Sequence, residues 1–187
     1  CYIAYQASDQ KKEPISYQVR DDKLTIQENS NDGKSYYHVD IGFLSGLLGG
    51  NPLTTDENVV TLYVPEGQKW KMANIKSDMG NVLLNDCEIE KGNVQTDSGD
   101  MFFKNCDFDD LKVDTDMGEL CFIGKEAMMR TWSVQVDTEM GNINADDALG
   151  GKVLEDDDDG AISYIQKGMG GNLVLRTDSG DISLKCR

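Results

Sequence analysis

The sequence predicts an all-β chain: a β-solenoid of about six short rungs behind an N-terminal β cap, with a β-meander sandwich as the rival architecture. Three observations predict it. The first is a repeated turn, TDSGD at 96–100 and again at 177–181, with near copies SDMGN at 77, TDMGE at 115 and TEMGN at 138. The second is its period. The turn glycines Gly80, Gly99, Gly118, Gly141, Gly160 and Gly180 fall at intervals of 19, 19, 23, 19 and 20 residues, and a fixed period overrides local readings. The third is an apolar pair after each glycine. At two and four residues beyond it stand Val82 and Leu84, Met101 and Phe103, Leu120 and Phe122, Ile143 and Ala145, Ile162 and Tyr164, Ile182 and Leu184. Alternation at period two marks a strand with one buried face.

A second strand precedes each turn. Val94, Leu111 with Val113, Val134 with Val136, Val153, and Leu173 with Leu175 stand five or seven residues before their glycines, so each repeat holds two strands and two turns. In the turn itself the Asp side chain can accept from backbone N–H groups while Gly supplies a positive φ. A hairpin with a glycine bulge would use similar letters. Registry favours the coil, because stacked rungs need the same residue type at the same offset. The copy at Gly160, DDDDGAI, lacks the Thr but keeps the acid, the glycine and the apolar residue after it.

Residues 1–70 read as cap strands continuous with the repeats of 71–187, the whole forming one cooperative domain. ISYQVRDDKLTIQEN reads as two strands about a turn at Asp21 and Asp22, and NVVTLYVPEG as a strand ended by Pro65 and Gly67. GFLSGLLGGNP, from Gly42 to Pro52, reads as a short cap on the first rung, with an exposed contact patch as the alternative. Trp70 reads as a cover for the cap. Such a cap protects the core and the unpaired amides at the open end of a stack.

Composition excludes whole classes of partner. With 34 acidic against 18 basic residues the formal charge is −16, which argues against nucleic acid and against an anionic membrane surface. No run approaches the ~18 apolar residues of a membrane span. A chain opening CYIAYQ suggests a cut from a longer precursor. Cys1 is then a lipid-bearing residue, the end of a transmembrane helix, or an arbitrary boundary. The chain is expected outside the cytoplasm, with a tether near Cys1 as its link to a membrane.

Cys1, Cys87, Cys106, Cys121 and Cys186 lack the CxxC spacing of a zinc or redox site. Cys87 and Cys106 each lie seven residues after a turn glycine, and stacking would set them ~4.8 Å apart. Free buried thiols are the favoured reading and a bridge the lesser one, since in-register parallel neighbours rarely offer the disulfide dihedral.

No catalytic site is expected. The single histidine, His38, has no nucleophile elbow beside it, and GLLGG lacks the Lys and Ser/Thr of a phosphate loop. The rungs are too short for the grooves of carbohydrate-active β-helices.

Stacking would align Asp78, Asp97, Asp116, Glu139, Asp158 and Asp178 in one ladder and Asn81, Asp100, Glu119, Asn142 and Asp181 in another. Unit charges ~4.8 Å apart repel by ~0.9 kcal/mol in water. Bonds to turn amides would offset that, and so would Ca²⁺. Calcium is the one candidate cofactor, with Asp156, Asp157, Asp158, Asp159, Asp178 and Asp181 as its cluster; the GGxGxD nonapeptide of calcium-binding β-rolls is not matched. The insertion KEAMMRTW at 125–132 is read as a protruding loop, with Met128, Met129, Arg130 and Trp132 as candidate anchors for a protein or glycan. For Trp132 itself, folding back over the rung beside Val134 is the favoured reading.

The order DDKLTIQE, then VTLYVPEG, then tandem V-x-T-D-x-G-D-I units resembles the bacterial putative-adhesin family of β-strand-repeat proteins, a family of unknown function, over roughly residues 15–186. The resemblance implies a right-handed β-solenoid displayed outside the cell, and carries no catalytic motif. The implied role is a non-catalytic surface module for adhesion-like binding or structural display. A Ca²⁺-dependent extracellular module and an envelope sensing domain are the alternatives.

Overall fold

Residues 2–6, 15–20, 23–28, 37–42, 59–63, 67–155 and 161–187 are described in this computed structural model. Cys1, Asp21 and Asp22, residues 43–58 of the expected cap, and Asp156 to Gly160 lie outside them.

The N-terminal part supplies strands β1 (Tyr2–Gln6), β2 (Ile15–Arg20), β3 (Lys23–Glu28), β4 (Tyr37–Gly42) and β5 (Val59–Tyr63). Three repeats follow as pairs of a long and a short strand. They are β6 (Lys69–Met79) with β7 (Val82–Asn85), β8 (Glu88–Ser98) with β9 (Met101–Lys104), and β10 (Asp107–Met117) with β11 (Leu120–Gly124). Beyond a single helical turn α1 (Glu126–Met129) come β12 (Ser133–Met140), β13 (Ile143–Ala145), β14 (Lys152–Glu155) and β15 (Ile162–Gln166). The last pair is β16 (Asn172–Ser179) and β17 (Ile182–Cys186).

Each repeat runs along one sheet, turns at its glycine and returns in a second. The long strands form a ten-stranded sheet in the order β14-β15-β12-β16-β10-β8-β6-β4-β3-β2, and the short ones a five-stranded sheet in the order β13-β17-β11-β9-β7. β1 and β5 make a separate antiparallel pair. The repeat strands pair in parallel and in register. Ser77, Thr96, Thr115, Thr177 and Thr138 form one column, and Val82, Met101, Leu120, Ile182 and Ile143 another. The expected all-β class and offset-for-offset registry hold. The N-terminal strands continue the sheet, β4 pairing antiparallel with β6 and carrying β3 and β2 beyond it.

The expected single-file order of six rungs does not hold. The first three repeats stack in chain order, but the last, β16 and β17, enters between the third and fourth. The strands on either side of the Gly160 copy, itself outside the described residues, do not continue the parallel stack: β15 runs antiparallel to β12, and β14 antiparallel to β15. The acid column therefore runs Asp78, Asp97, Asp116, Asp178, Glu139.

Two stretches of sequence make this order possible. After β11 the chain must step past one extra strand to reach β12, about 9.6 Å instead of 4.8, and the 125–132 insertion with α1 covers the step. Later, KGMGGN brings the chain back into the gap. Gly170 N–H donates to Thr131 C=O at 2.7 Å and Ser133 N–H to Gly171 C=O at 2.8 Å. A Cβ on Gly168 would overlap the carbonyls of Thr131 and Trp132, and one on Gly171 the carbonyl of Phe108. Only a chain without side chains there can pass so close.

The core lies between the two sheets. The apolar residues at the repeat offsets are buried in the first three repeats and the last, while Val153 is exposed. Phe103 and Phe122 stack at 4.2 Å, Phe108 meets Phe122 edge-on at 6.4 Å, and Trp132 lies against Phe108 at 4.4 Å. Trp70 is buried at the opposite end.

Candidate functional site

The repeat fixes three surfaces, and each gathers residues singled out in the sequence. The first is the row of glycine corners. Gly80, Gly99, Gly118 and Gly180 have φ of 139°, 152°, 146° and 152°. A Cβ on Gly99 would strike the carbonyl of Gly80, and one on Gly118 the carbonyl of Gly99. The glycine thus serves the stack as well as the turn, because each corner seats on the corner before it.

Beside the glycines, three members of the second ladder bond to the backbone. Asn81 Oδ1 accepts from Asp100 N–H at 2.8 Å, Asp100 Oδ1 from Glu119 N–H at 2.9 Å, and Asp181 Oδ1 from Asn142 N–H at 2.8 Å. Each side chain holds the next rung, which offsets the repulsion between stacked acids. Asp178, Asp97, Asp116 and Glu139, on the first ladder, face solvent. Of the proposed calcium donors, Asp156, Asp157, Asp158 and Asp159 lie outside the described residues, and Asp181 is committed to Asn142. Among the described residues no group of three His, Cys, Asp or Glu side chains could hold a metal.

Beneath the corners runs a column that the sequence reading missed. Ser77, Thr96, Thr115, Thr177 and Thr138 are all buried. Thr115 Oγ1 donates to Met117 C=O and Thr138 Oγ1 to Gly180 C=O, each at 3.2 Å. The hydroxyls of Ser77, Thr96 and Thr177 have no partner. The repeated Thr in T-D-x-G was the available signal: its period matched the core positions rather than the exposed ones.

The second surface is the 125–132 insertion. Two of its four candidate anchors are turned inward. Met129 and Trp132 are buried, Met128 packs against the core, and only Arg130 is exposed, bonded to Glu126 Oε1 at 3.3 Å. The physical reason is Gln166, buried beneath the loop. Its Nε2 donates to Met129 C=O at 2.8 Å and Trp132 C=O at 3.0 Å, and its Oε1 accepts from Tyr164 Oη at 3.1 Å. Burial raises the Tyr164 pKa, keeping that hydroxyl a donor.

The third surface is the outward face of the ten-stranded sheet. One row across the strands reads Asn74, Asn93, Lys112, Val174, Gln135, and the next reads Lys76, Gln95, Asp114, Arg176, Asp137. Lys112 Nζ pairs with Asp114 at 2.9 Å and Arg176 Nε with Asp137 at 3.6 Å. Asp137 also accepts from Gln135 at 3.0 Å and from Ser163 at 2.8 Å. The face is mixed in charge and rich in amides. His38 lies on β4, its backbone opposite Lys76.

The four described cysteines carry free thiols. Cys87, Cys106 and Cys121 are buried and Cys186 half-buried. Burial raises the pKa of Cys121 and of Cys186.

Comparison with curated proteins gave no match. Among solved structures, a putative cell adhesion protein from Clostridium sporogenes ATCC 15579 is similar over 88% of this chain and 82% of that one, at 12% identity and a TM-score of 0.49. The family profile described as Toastrack DUF4097 matches residues 2–187, a wider span than the residues 15–186 on which the motifs alone rest. With nearly the whole length matched, the chain belongs to the Toastrack DUF4097 family.

Proposed function

We propose that this chain is a non-catalytic, adhesion-like binding or display module held outside the cytoplasm, which takes a protein or glycan along the outward face of its long-stranded sheet. The observation that carries the reading is the pair of polar rows. Asn74, Asn93 and Lys112, with Gln135 one strand further on beyond Val174, make one row, and Lys76, Gln95, Asp114, Arg176 and Asp137 the next; the second row sets a donor or acceptor on every strand of a fixed backbone. Such an array suits an extended polymer that offers hydroxyls or amides at regular intervals, with several modest contacts acting together. Asp100 and Asp181 at the corners support the same reading, since they bond to neighbouring rungs and so serve the scaffold. A right-handed coil displayed outside the cell fits this role.

The test is capture of the purified chain on insoluble cell-wall polysaccharide and on immobilised extracellular protein. The triple substitution Asn74→Ala, Asn93→Ala, Gln135→Ala is expected to cut capture about a hundredfold with an unchanged melting temperature, at roughly 1 kcal/mol for each lost contact. Capture that survives the triple substitution removes the sheet face as the binding surface.

A further inference from the structure

Cys87 and Cys106 face each other across neighbouring repeats. They leave the second corner at the same point, bracketed by the paired positions Asn85 with Lys104 and Glu88 with Asp107. The backbone ties the two corners together. Asp107 N–H donates to Cys87 C=O at 2.9 Å, Asp86 N–H donates to Lys104 C=O at 2.8 Å, and Asn105 Nδ2 donates to Asp86 Oδ1 at 2.7 Å. Neighbouring strands lie ~4.8 Å apart, within the roughly 4.4–6.8 Å between Cα atoms that a disulfide spans.

The sulfurs converge as well. Cys87 Sγ donates to Asn85 C=O at 3.3 Å, and Cys106 Sγ reaches back one repeat to Leu84 C=O at 3.5 Å. The neighbouring Cys106 thiol, together with burial, pushes the Cys87 pKa up. In the flat part of a parallel ladder the pleat works against the disulfide dihedral. These cysteines lie outside the strands, each directly after a left-handed residue, Asp86 at φ 53° and Asn105 at φ 54°, so the pleat does not set their Cβ directions. Neither Cys121 nor Cys186 has such a neighbour: Cys121 pairs with Phe102 and Ser183, and Cys186 with Gly124.

We propose that Cys87 and Cys106 are a modification site, closing to a disulfide that staples the first repeat to the second when the chain meets a small-molecule disulfide. One cysteine, as its thiolate, attacks a sulfur of the oxidant and releases one small thiol. The other then attacks the mixed disulfide and releases the second. The protein loses two protons and two electrons, and the oxidant leaves as two thiols.

The test is refolding of the full chain from urea in glutathione buffer, oxidised or reduced, followed by denaturing alkylation and peptide mass spectrometry. Refolding removes the barrier that burial sets against the oxidant. The expected result is two fewer alkylated thiols in the oxidised sample and one linked peptide pair carrying Cys87 and Cys106. The oxidised chain should melt roughly 6–12 °C higher than the reduced one, and the double variant Cys87→Ser, Cys106→Ser should lose that increment. Full alkylation of both cysteines after oxidative refolding, or linkage through Cys121 or Cys186 instead, overturns the proposal.

Discussion

The first three repeats and the repeats after them are written in nearly the same letters, yet they assemble differently. From β6 to β11 the chain climbs one strand at a time, and each corner rests on the corner before it. From β12 onward it skips a place, folds a hairpin back on itself and returns to fill the gap with β16 and β17. Repeat identity therefore sets registry, while the residues between repeats set order. The difference is carried by Trp132 with the 125–132 step on one side and by Gly168, Gly170 and Gly171 on the other.

The most damaging single change should fall where the two regions meet. Trp132 lies on Phe108 of the third repeat, and its carbonyl receives Gln166 of the hairpin, so Trp132→Ala should cost about 3–5 kcal/mol. Urea denaturation followed by circular dichroism checks this. The same transition tests whether the chain is one cooperative unit. Its two tryptophans, Trp70 and Trp132, sit in different regions, so Trp70→Phe and Trp132→Phe variants report each region separately by fluorescence. Coincident transitions are expected, and separated ones would divide the chain.

Next come the glycines. Gly99→Ala breaks the seat between consecutive corners, and Gly171→Ala blocks the return of the chain past Phe108; each should cost about 2–3 kcal/mol. Their kinetics should differ. The return joins segments distant in sequence, so Gly171→Ala should slow refolding more than Gly99→Ala does, as stopped-flow fluorescence would show. Equal slowing would mean that the return closes late and limits nothing.

The buried hydroxyl column gives a smaller effect whose sign differs between the regions. Thr96 has no partner for its hydroxyl, so Thr96→Val should be neutral or slightly stabilising, whereas Thr138→Val forfeits the bond to Gly180 and should cost about 1 kcal/mol. Paired urea melts decide it, and equal costs would mean that Thr96 is satisfied by water.

These contrasts also show which parts of the fold were legible. The period-two pattern after each glycine, such as Met101 with Phe103 and Leu120 with Phe122, placed the short strands and their core side chains, because burial of one strand face is a local property of sequence. The order of the strands is not local. DDDDGAI kept the letters of a corner but stands between the antiparallel strands β14 and β15, and only its lost Thr, absent from the buried column, marked it as different. KGMGGN was the other available sign, three glycines in five residues where no turn of the repeat was due. The 125–132 insertion is legible as an insertion, and the inward packing of Trp132 with it; Trp and Arg together also suggest an interface, which the burial of Met129 and Trp132 does not support. The folded chain needs it as a bridge across one strand. The polar rows were invisible in one dimension, since Asn93, Lys112 and Gln135 become neighbours only once the repeats are in register.

The smallest expected effect concerns calcium, and it bears on both regions equally. A site occupied at a hundred times its dissociation constant would add about 2.7 kcal/mol, raising the melting temperature of a chain this size by roughly 5–11 °C. The described acids give little reason to expect that: Asp100 and Asp181 bond to amides of neighbouring rungs, and Asp97, Asp116 and Asp178 stand one to a rung in solvent. Melts in EDTA and in millimolar Ca²⁺ should therefore coincide. A rise confined to Ca²⁺ would point to Asp156 to Asp159, and its loss on replacing those four by Asn would place the metal on that acid run. A rise that also vanishes in Asp100→Asn would place it on the corners instead and make the acidic ladder a ligand as well as a brace.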